Sequence, residues 1–330
     1  MNELRRQSPA LSLLLIVVVS GAIFSGSRST LDTSILIAIF SLMALSVGIS
    51  FGQAGMMSLG QASFAAIGAY TTSILTTQAG WSPYAGLVAA VLVPPLIAYP
   101  LARLLVRLSH LALALATLFL GEIVMIVLNN GGDLTGGYLG IGGIPPISLA
   151  TTPLAFHFLA WGCVVVTVVL YSNLKSSAAG RALNTLRQDP LRAQADGDDG
   201  PHRLSATFAF SAGLCGLAGW LYAHYLTYVA PESLSVSTSI SVLLMVIVGG
   251  SRYVLGPVVG AALLTVLNDH LPAEVLGLLY GLALVIVLVV APRGVMGVAA
   301  QLLGRFRPHP RRPVEDSLSD RPTHELEIAP

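Results

Sequence analysis

The chain has 330 residues, of which 54% are hydrophobic and 10% charged, and its mean hydropathy is +0.78. Soluble domains carry about 25% charged residues, so this composition excludes a soluble domain and identifies an integral membrane protein. The net charge of +1 offers no basic face for nucleic acid, and Cys163 and Cys215 both lie in apolar runs, where they read as small core residues rather than a disulfide or metal pair.

A membrane-crossing helix needs about 20 apolar residues. Breaking the chain at charges, Pro and Gly predicts an all-α polytopic protein of about ten transmembrane helices. They lie near 10–26, 34–51, 61–77, 84–102, 111–129, 154–172, 204–226, 238–250, 256–270 and 275–291. If the shorter runs are half-helices, the count falls in the range eight to ten. The first run follows Arg5 and Arg6 as a signal peptide would, but it lacks an A-x-A cleavage pattern and reads as a retained span. Residues 1–9 then form a cytoplasmic N-terminus and 10–300 the transmembrane domain. Residues 301–330 form a cytoplasmic tail, rich in Pro and charge from Pro308, that is expected to be disordered.

Orientation follows from the basic residues, because cytoplasmic loops carry the excess of Lys and Arg. With the N-terminus inside, Arg103, Arg107, Lys175, Arg181, Arg187, Arg192, Arg203, Arg252, Arg293 and the basic residues of both termini all fall inside. Only Arg28 falls outside, where Asp32, Asp133, Glu232, Asp269 and Glu274 are found. Both termini are therefore expected in the cytoplasm.

Along the chain, the first irregular segment is 52-GQAGMMSLGQASFAAIGAY-70, polar and glycine-rich but uncharged. Glycine lets the backbone leave helical geometry. Non-helical backbone at membrane depth survives only where protein buries it or water lines it. Gly52, Gly55, Gly60 and Gly68 with Gln53, Ser58, Gln61 and Ser63 therefore point to a discontinuous helix beside a translocation path. The neutral side chains could hydrogen-bond a solute without holding it tightly. The alternative is close helix packing through small residues. A short echo, Leu59-Gly60 before Gly68 and Leu255-Gly256 before Gly260, hints at related halves.

Glu122 is the one acidic residue well inside a span. Insertion of such a carboxyl costs about 2.5–3.5 kcal/mol. It reads either as part of the pathway, with proton coupling as the sharper version, or as a structural hydrogen bond to a neighbour. Next come a Gly-dense outer loop, 130-NGGDLTGGYLGIGGIPP-146, and the longest cytoplasmic loop, 173–203. That loop has a short helical core between Gly180 and Gly197, with Leu183, Leu186 and Ala193 as an apolar face and Arg181, Arg187 and Arg192 solvated. His110, His157, His202, His224 and His270 are scattered without ligand spacing, and no nucleophile motif or Walker loop is present. No cofactor is expected in this chain, and an ATP-driven process would need its ATPase elsewhere.

The stretch 58-SLGQASFAAIGAY-70 resembles a segment of the LivM-type branched-chain amino acid ABC transporter permeases. So do 116-ATLFLGEIVMIVLNN-130, 135-TGGYLGIGGIP-145, 179-AGRALNTLRQDPLRAQADG-197, 217-LAGWLYAHYLTYVAPESL-234, 244-LMVIVGGSRYVLGPVVGAALL-264 and 279-LYGLALVIVLVVAPRGVMG-297, in the family's order. The resemblance implies an inner-membrane importer subunit for leucine, isoleucine and valine, with relatives handling other amino acids, urea, short amides, sugars or nucleosides. It implies a second related permease, two ATPase subunits that bind ATP and Mg, and a periplasmic or extracellular solute-binding protein. The pathway would include Gly52, Gln53, Gly55, Ser58, Gly60, Gln61, Ser63, Gly68 and Glu122. The ATPase-coupling segment would carry Gly180, Arg181, Arg187, Gln194, Ala195 and Gly197. Two departures stand out. Gln194 replaces the family's usual Glu, and Asp196 and Asp198 replace apolar residues, which would weaken hydrophobic docking on the ATPase. Ser109-His110-Leu111 replaces a Gly-Asp-Tyr turn.

Overall fold

The computed structural model describes Leu13 and residues 28–195, 197–270 and 294–305. The expected spans near 10–26 and 275–291, the N-terminal residues 1–9, Asp196 and the tail beyond 305 lie outside the described residues.

Within them, apolar runs become helices and the breakers set their ends. Helix α1, Arg28–Val47, continues as a π-helical turn, Gly48–Gln53. Then follow α2 Gln61–Thr77, α3 Pro83–Leu105, α4 His110–Asn130 and α5 Pro153–Ser176. Ser82, Ser109 and Thr152 start α3, α4 and α5, each side chain accepting from a backbone N–H three residues on. Thus Ser109 of the departing Ser-His-Leu sequence is a helix cap.

The expected long loop 173–203 is helical over most of its length. Helix α5 runs on to Ser176, α6 spans Ala178–Gln188, α7 spans Pro190–Ala195, and α8 begins at Gly200 and runs to Leu226. Helices α9 Val236–Gly249, α10 Gly256–His270 and α11 Gly294–Arg305 complete the described fold. Six helical stretches among the described residues are long and apolar enough to cross a membrane: 28–53, α3, α4, α5, α8 and 231–249. Helix α2 has 17 residues and rises only about 25 Å, less than the hydrocarbon thickness of about 30 Å.

Small residues let these helices approach closely, since lipid supplies no hydrophobic drive between them. A Cβ on Gly68 of α2 would come within 2.5 Å of Gly216 on α8, and one on Gly213 within 3.0 Å of Pro95 on α3. Gly260 of α10 lies against the Met245 carbonyl of α9 in the same way. The two Leu-Gly pairs of the sequence echo each sit at a helix start, α2 and α10. Helices α1 and α8 are buried in the bundle, while α3 and α4 expose apolar faces.

Contacts sort the charges into two ends. At one end, Lys175 donates to the Arg252 carbonyl at 2.6 Å, and Arg107 and Arg187 share a cleft beside Gly55. At the other, Tyr225 donates to Asp32 at 2.5 Å, Thr33 to Asp269 at 2.8 Å, and Gln78 to the Asp133 carbonyl at 3.1 Å. The Gly-dense loop closes this second end. Its Ile141–Gly142 strand pairs antiparallel with Tyr228–Val229, and Ile144 and Ile147 are buried beneath it. His224 bridges it to the bundle, 2.7 Å from the Pro145 carbonyl and 2.9 Å from the Thr72 hydroxyl.

Candidate functional site

The helix break falls where glycine and neutral polar residues crowd the sequence. The π turn ends at Gln53, Gly55 turns the chain with φ 73°, and regular helix resumes only at Gln61. Helix starts leave backbone N–H groups without intrahelical partners, and this one lies inside the bundle. Two of the donors here are met from other helices. Leu59 N–H donates to Thr117 Oγ1 of α4 at 3.0 Å, and Ala62 N–H to Ser239 Oγ of α9 at 3.0 Å. Gly60 N–H reaches Ser58 Oγ at 3.3 Å. A Cβ on Gly60 would strike the Thr117 carbonyl, so glycine is needed there for contact as well as for turning.

Ser58, Gln61 and Ser63 are buried. Gln61 sits in a polar knot of α1, α2 and α8. Its Nε2 lies 3.5 Å from both Ser50 Oγ and Ser211 Oγ, and its Oε1 accepts from Cys215 Sγ at 3.5 Å. Cys215 in turn lies 2.8 Å from Ser46 Oγ, so this cysteine is a polar contact as well as a packing residue. Ser63 packs at Gly121 of α4. Gly68 takes the close-packing role and stands apart from the break. Glu122 is exposed on α4 between Phe119 and Ile126, and no hydrogen bond or ion pair to it occurs among the described residues.

The π turn is tied to the basic end. Tyr171 of α5 donates to the Gly48 carbonyl at 2.9 Å, and Arg187 of α6 donates to the Gly52 carbonyl. The Arg187 guanidinium lies 6.0 Å from the centre of the Phe51 ring, within cation–π range. Its aliphatic stem packs on Gly55. Arg187 thus departs from the expected solvated position. Burial, and then the nearby Arg252, push its pKa below the ordinary guanidinium value.

The rest of the α6–α7 pair is built by local contacts. Ser177 caps α6 by accepting from Gly180 N–H at 3.1 Å, and a Cβ on Gly180 would strike the Leu174 carbonyl. Arg181 is exposed and donates to the Ser176 carbonyl at 3.1 Å. Leu183, Leu186 and Ala193 are buried. Gln194 and Ala195 are in the last turn of α7, and Gly197 makes the following turn with φ 79°. Asp198 pairs with Arg203 of α8 and is only 12% exposed, so this acid faces its own chain. Asp189 and Asp199 accept from the N–H groups of Arg192 and His202, each at 3.1 Å.

The residues that sequence reasoning missed are partners across helices: Thr117, Tyr171, Ser211, Cys215, Ser239 and Arg252. Ser46 on α1 and Ser50 on the π turn that continues it, like Ser211 and Cys215 on α8, recur at a four-residue spacing, which marks one helix face. That spacing was the available signal. Among the described residues, no three His, Cys, Asp or Glu side chains are grouped to hold a metal ion.

Helices long and apolar enough to cross a membrane, packed around an uncharged break, define a multi-pass membrane protein. The chain belongs to the branched-chain amino acid permease family, whose model, described as "Branched-chain amino acid transport system / permease component", matches residues 29–291. It is similar to the high-affinity branched-chain amino acid transport system permease protein LivM of Escherichia coli (strain K12). The two are 30% identical over 326 residues, covering 88% of this chain and 75% of that protein. The LivM protein of Salmonella typhimurium gives the same identity and coverage. No solved structure matches the chain.

Proposed function

We propose that the chain is the membrane-spanning subunit of an ATP-driven ABC importer for leucine, isoleucine and valine, seated in the bacterial inner membrane with its basic end in the cytoplasm. The observation that carries the mechanism is the link from Arg187 of α6 to the Gly52 carbonyl, which joins the cytoplasmic helices to the helix break. Helix α2, lengthened by the non-helical break before it, and the short α10 add two crossings to the six long ones, and the apolar runs near 10–26 and 275–291 bring the count to ten with both termini inside.

Two ATPase subunits bind ATP and Mg and meet this chain and its partner permease at their α6–α7 pairs. Leu191 of α7, 78% exposed, is the apolar knob for that contact, while Asp198 is turned away to Arg203. Motion of α6 pulls on the π turn and loosens the bonds from 58–63 to Thr117 and Ser239. Solute then passes among Gly52, Gln53, Gly55, Ser58, Gly60, Gln61 and Ser63. Neutral hydrogen-bonding groups suit this step, because a tight internal site would slow release. A second, related permease covers the exposed face of α4. That cover resolves the position of Glu122, since a carboxyl facing lipid is costly. A solute-binding protein docks on the glycine-rich cap, where Tyr138, Leu139 and Leu149 are exposed.

The test is a mild-detergent pull-down from native membranes with mass spectrometry, paired with uptake of labelled leucine. Recovery of ATPases and a second permease is expected. Recovery of the chain alone, active in proton-driven uptake that Glu122→Gln abolishes, would replace the ABC mechanism with secondary transport.

A further inference from the structure

Beside the π turn, at the basic end, lies a pocket of about 330 Å³ that borders the Arg187–Gly52 link and has no ligand assigned to it above. Its floor is Gly52 and Gln53. One wall is the α6 face bearing Gly180, Arg181, Asn184, Arg187 and Gln188, and the other is formed by Lys175 and Arg252. Four cations therefore converge on one concavity. Among the described residues the one salt bridge is Asp198–Arg203, on a different face, so none of the four has a carboxylate partner there. Three of them hold themselves in place through backbone oxygens: Lys175 on the Arg252 carbonyl, Arg181 on the Ser176 carbonyl and Arg187 on the Gly52 carbonyl. The cations repel one another, yet the fold gathers them from α5, α6 and the α9–α10 turn.

We infer that this pocket binds an anionic phosphate group, which bridges α6 to the α9–α10 turn and the π turn. Guanidinium groups match phosphate oxygens with forked, charge-assisted hydrogen bonds. The neutral amides of Gln53, Asn184 and Gln188 supply further donors without opposing charge. The pocket lies where helices end, the depth at which anionic headgroups meet basic pockets between membrane helices. The phosphate is either that of a lipid headgroup or a free phosphate. A bound phosphate fastens α6 to two elements that α6 must move against, so occupancy restrains coupling. Binding itself does not depend on which solute is carried.

The full chain is purified into phosphatidylcholine nanodiscs, with and without phosphatidylglycerol, and its melting is followed by tryptophan fluorescence. Inorganic phosphate is titrated against chloride at constant ionic strength. A saturable rise in melting temperature with phosphate assigns a free phosphate. A rise produced by phosphatidylglycerol alone assigns a headgroup. In either case Arg252→Gln weakens the effect about tenfold and Arg252→Lys keeps most of it. Asn184→Asp places a carboxylate inside the pocket; it removes the response to phosphate and headgroup and raises the melting temperature of the empty protein. An equal response in wild type, Arg252→Gln and Asn184→Asp, or no response in wild type to either source, overturns the assignment.

Discussion

Arg187 shows how one side chain can carry two assignments. Placed on α6 by sequence, it reaches back to the Gly52 carbonyl and the Phe51 ring. Arg187→Gln keeps a donor but loses the fork and the charge. Uptake of labelled leucine should fall by about tenfold or more, as one charged hydrogen bond is lost, while ATP hydrolysis by the assembled complex continues. Unchanged uptake would separate α6 from the break. At Gly60 the constraint is steric, because a side chain there meets the Thr117 carbonyl. Gly60→Leu should abolish uptake and leave the subunit able to co-purify with its partners; normal uptake would contradict a gating break. Tyr171→Phe, which removes the bond to the Gly48 carbonyl, should lower stability by about 1 kcal/mol, measured as a lower melting temperature. At this scale the sequence shows which segment is unusual, through its glycines and uncharged polar residues. It does not show what each residue touches. Thr117 and Ser239 lie 58 and 177 residues from their partners Leu59 and Ala62, and nothing local to either marks the pairing.

Among the elements, those bounded by breakers were the most legible. Helix α2 begins and ends at the residues expected of it, and α3, α4 and α5 each extend the expected span at both ends. The segment 173–203 was legible in part: the helical core between Gly180 and Gly197 was expected, but not its division into α6 and α7 or the use of its charges. Its charges cap and pin helices: Asp189 serves α7, Asp199 serves α8, and Asp198 holds Arg203. This leaves Leu191 as the exposed large apolar residue of α7. Leu191→Asp should cut leucine-stimulated ATP hydrolysis in the reconstituted complex severalfold or more, since an apolar contact of this size is worth about 1.5–3 kcal/mol when buried. No change in hydrolysis would place the ATPase contact elsewhere.

At the level of the whole molecule, burial is uneven. Helices α1 and α8 are enclosed by their neighbours, while α4 leaves Leu115, Phe119, Ile123 and Ile126 bare around Glu122. Lipid would accept the apolar residues but not the carboxyl, which favours protein against this face. A cysteine at Phe119 or Ile126 should cross-link to the second permease in native membranes, and labelling of those positions by a lipid-phase reagent instead would assign the face to lipid. The π turn adds a different consequence. A π-helical turn holds one residue more than an α-helical turn, so Gly48–Gln53 sets the phase between α1 above and the break below. Deleting a single residue, Ile49 for example, could restore α-helical winding without losing side chains of the break. It would also remove the widened turn whose Gly48 and Gly52 carbonyls accept from Tyr171 and Arg187. Chain length in this one turn, and not only the chemistry of its side chains, holds the break against α5 and α6.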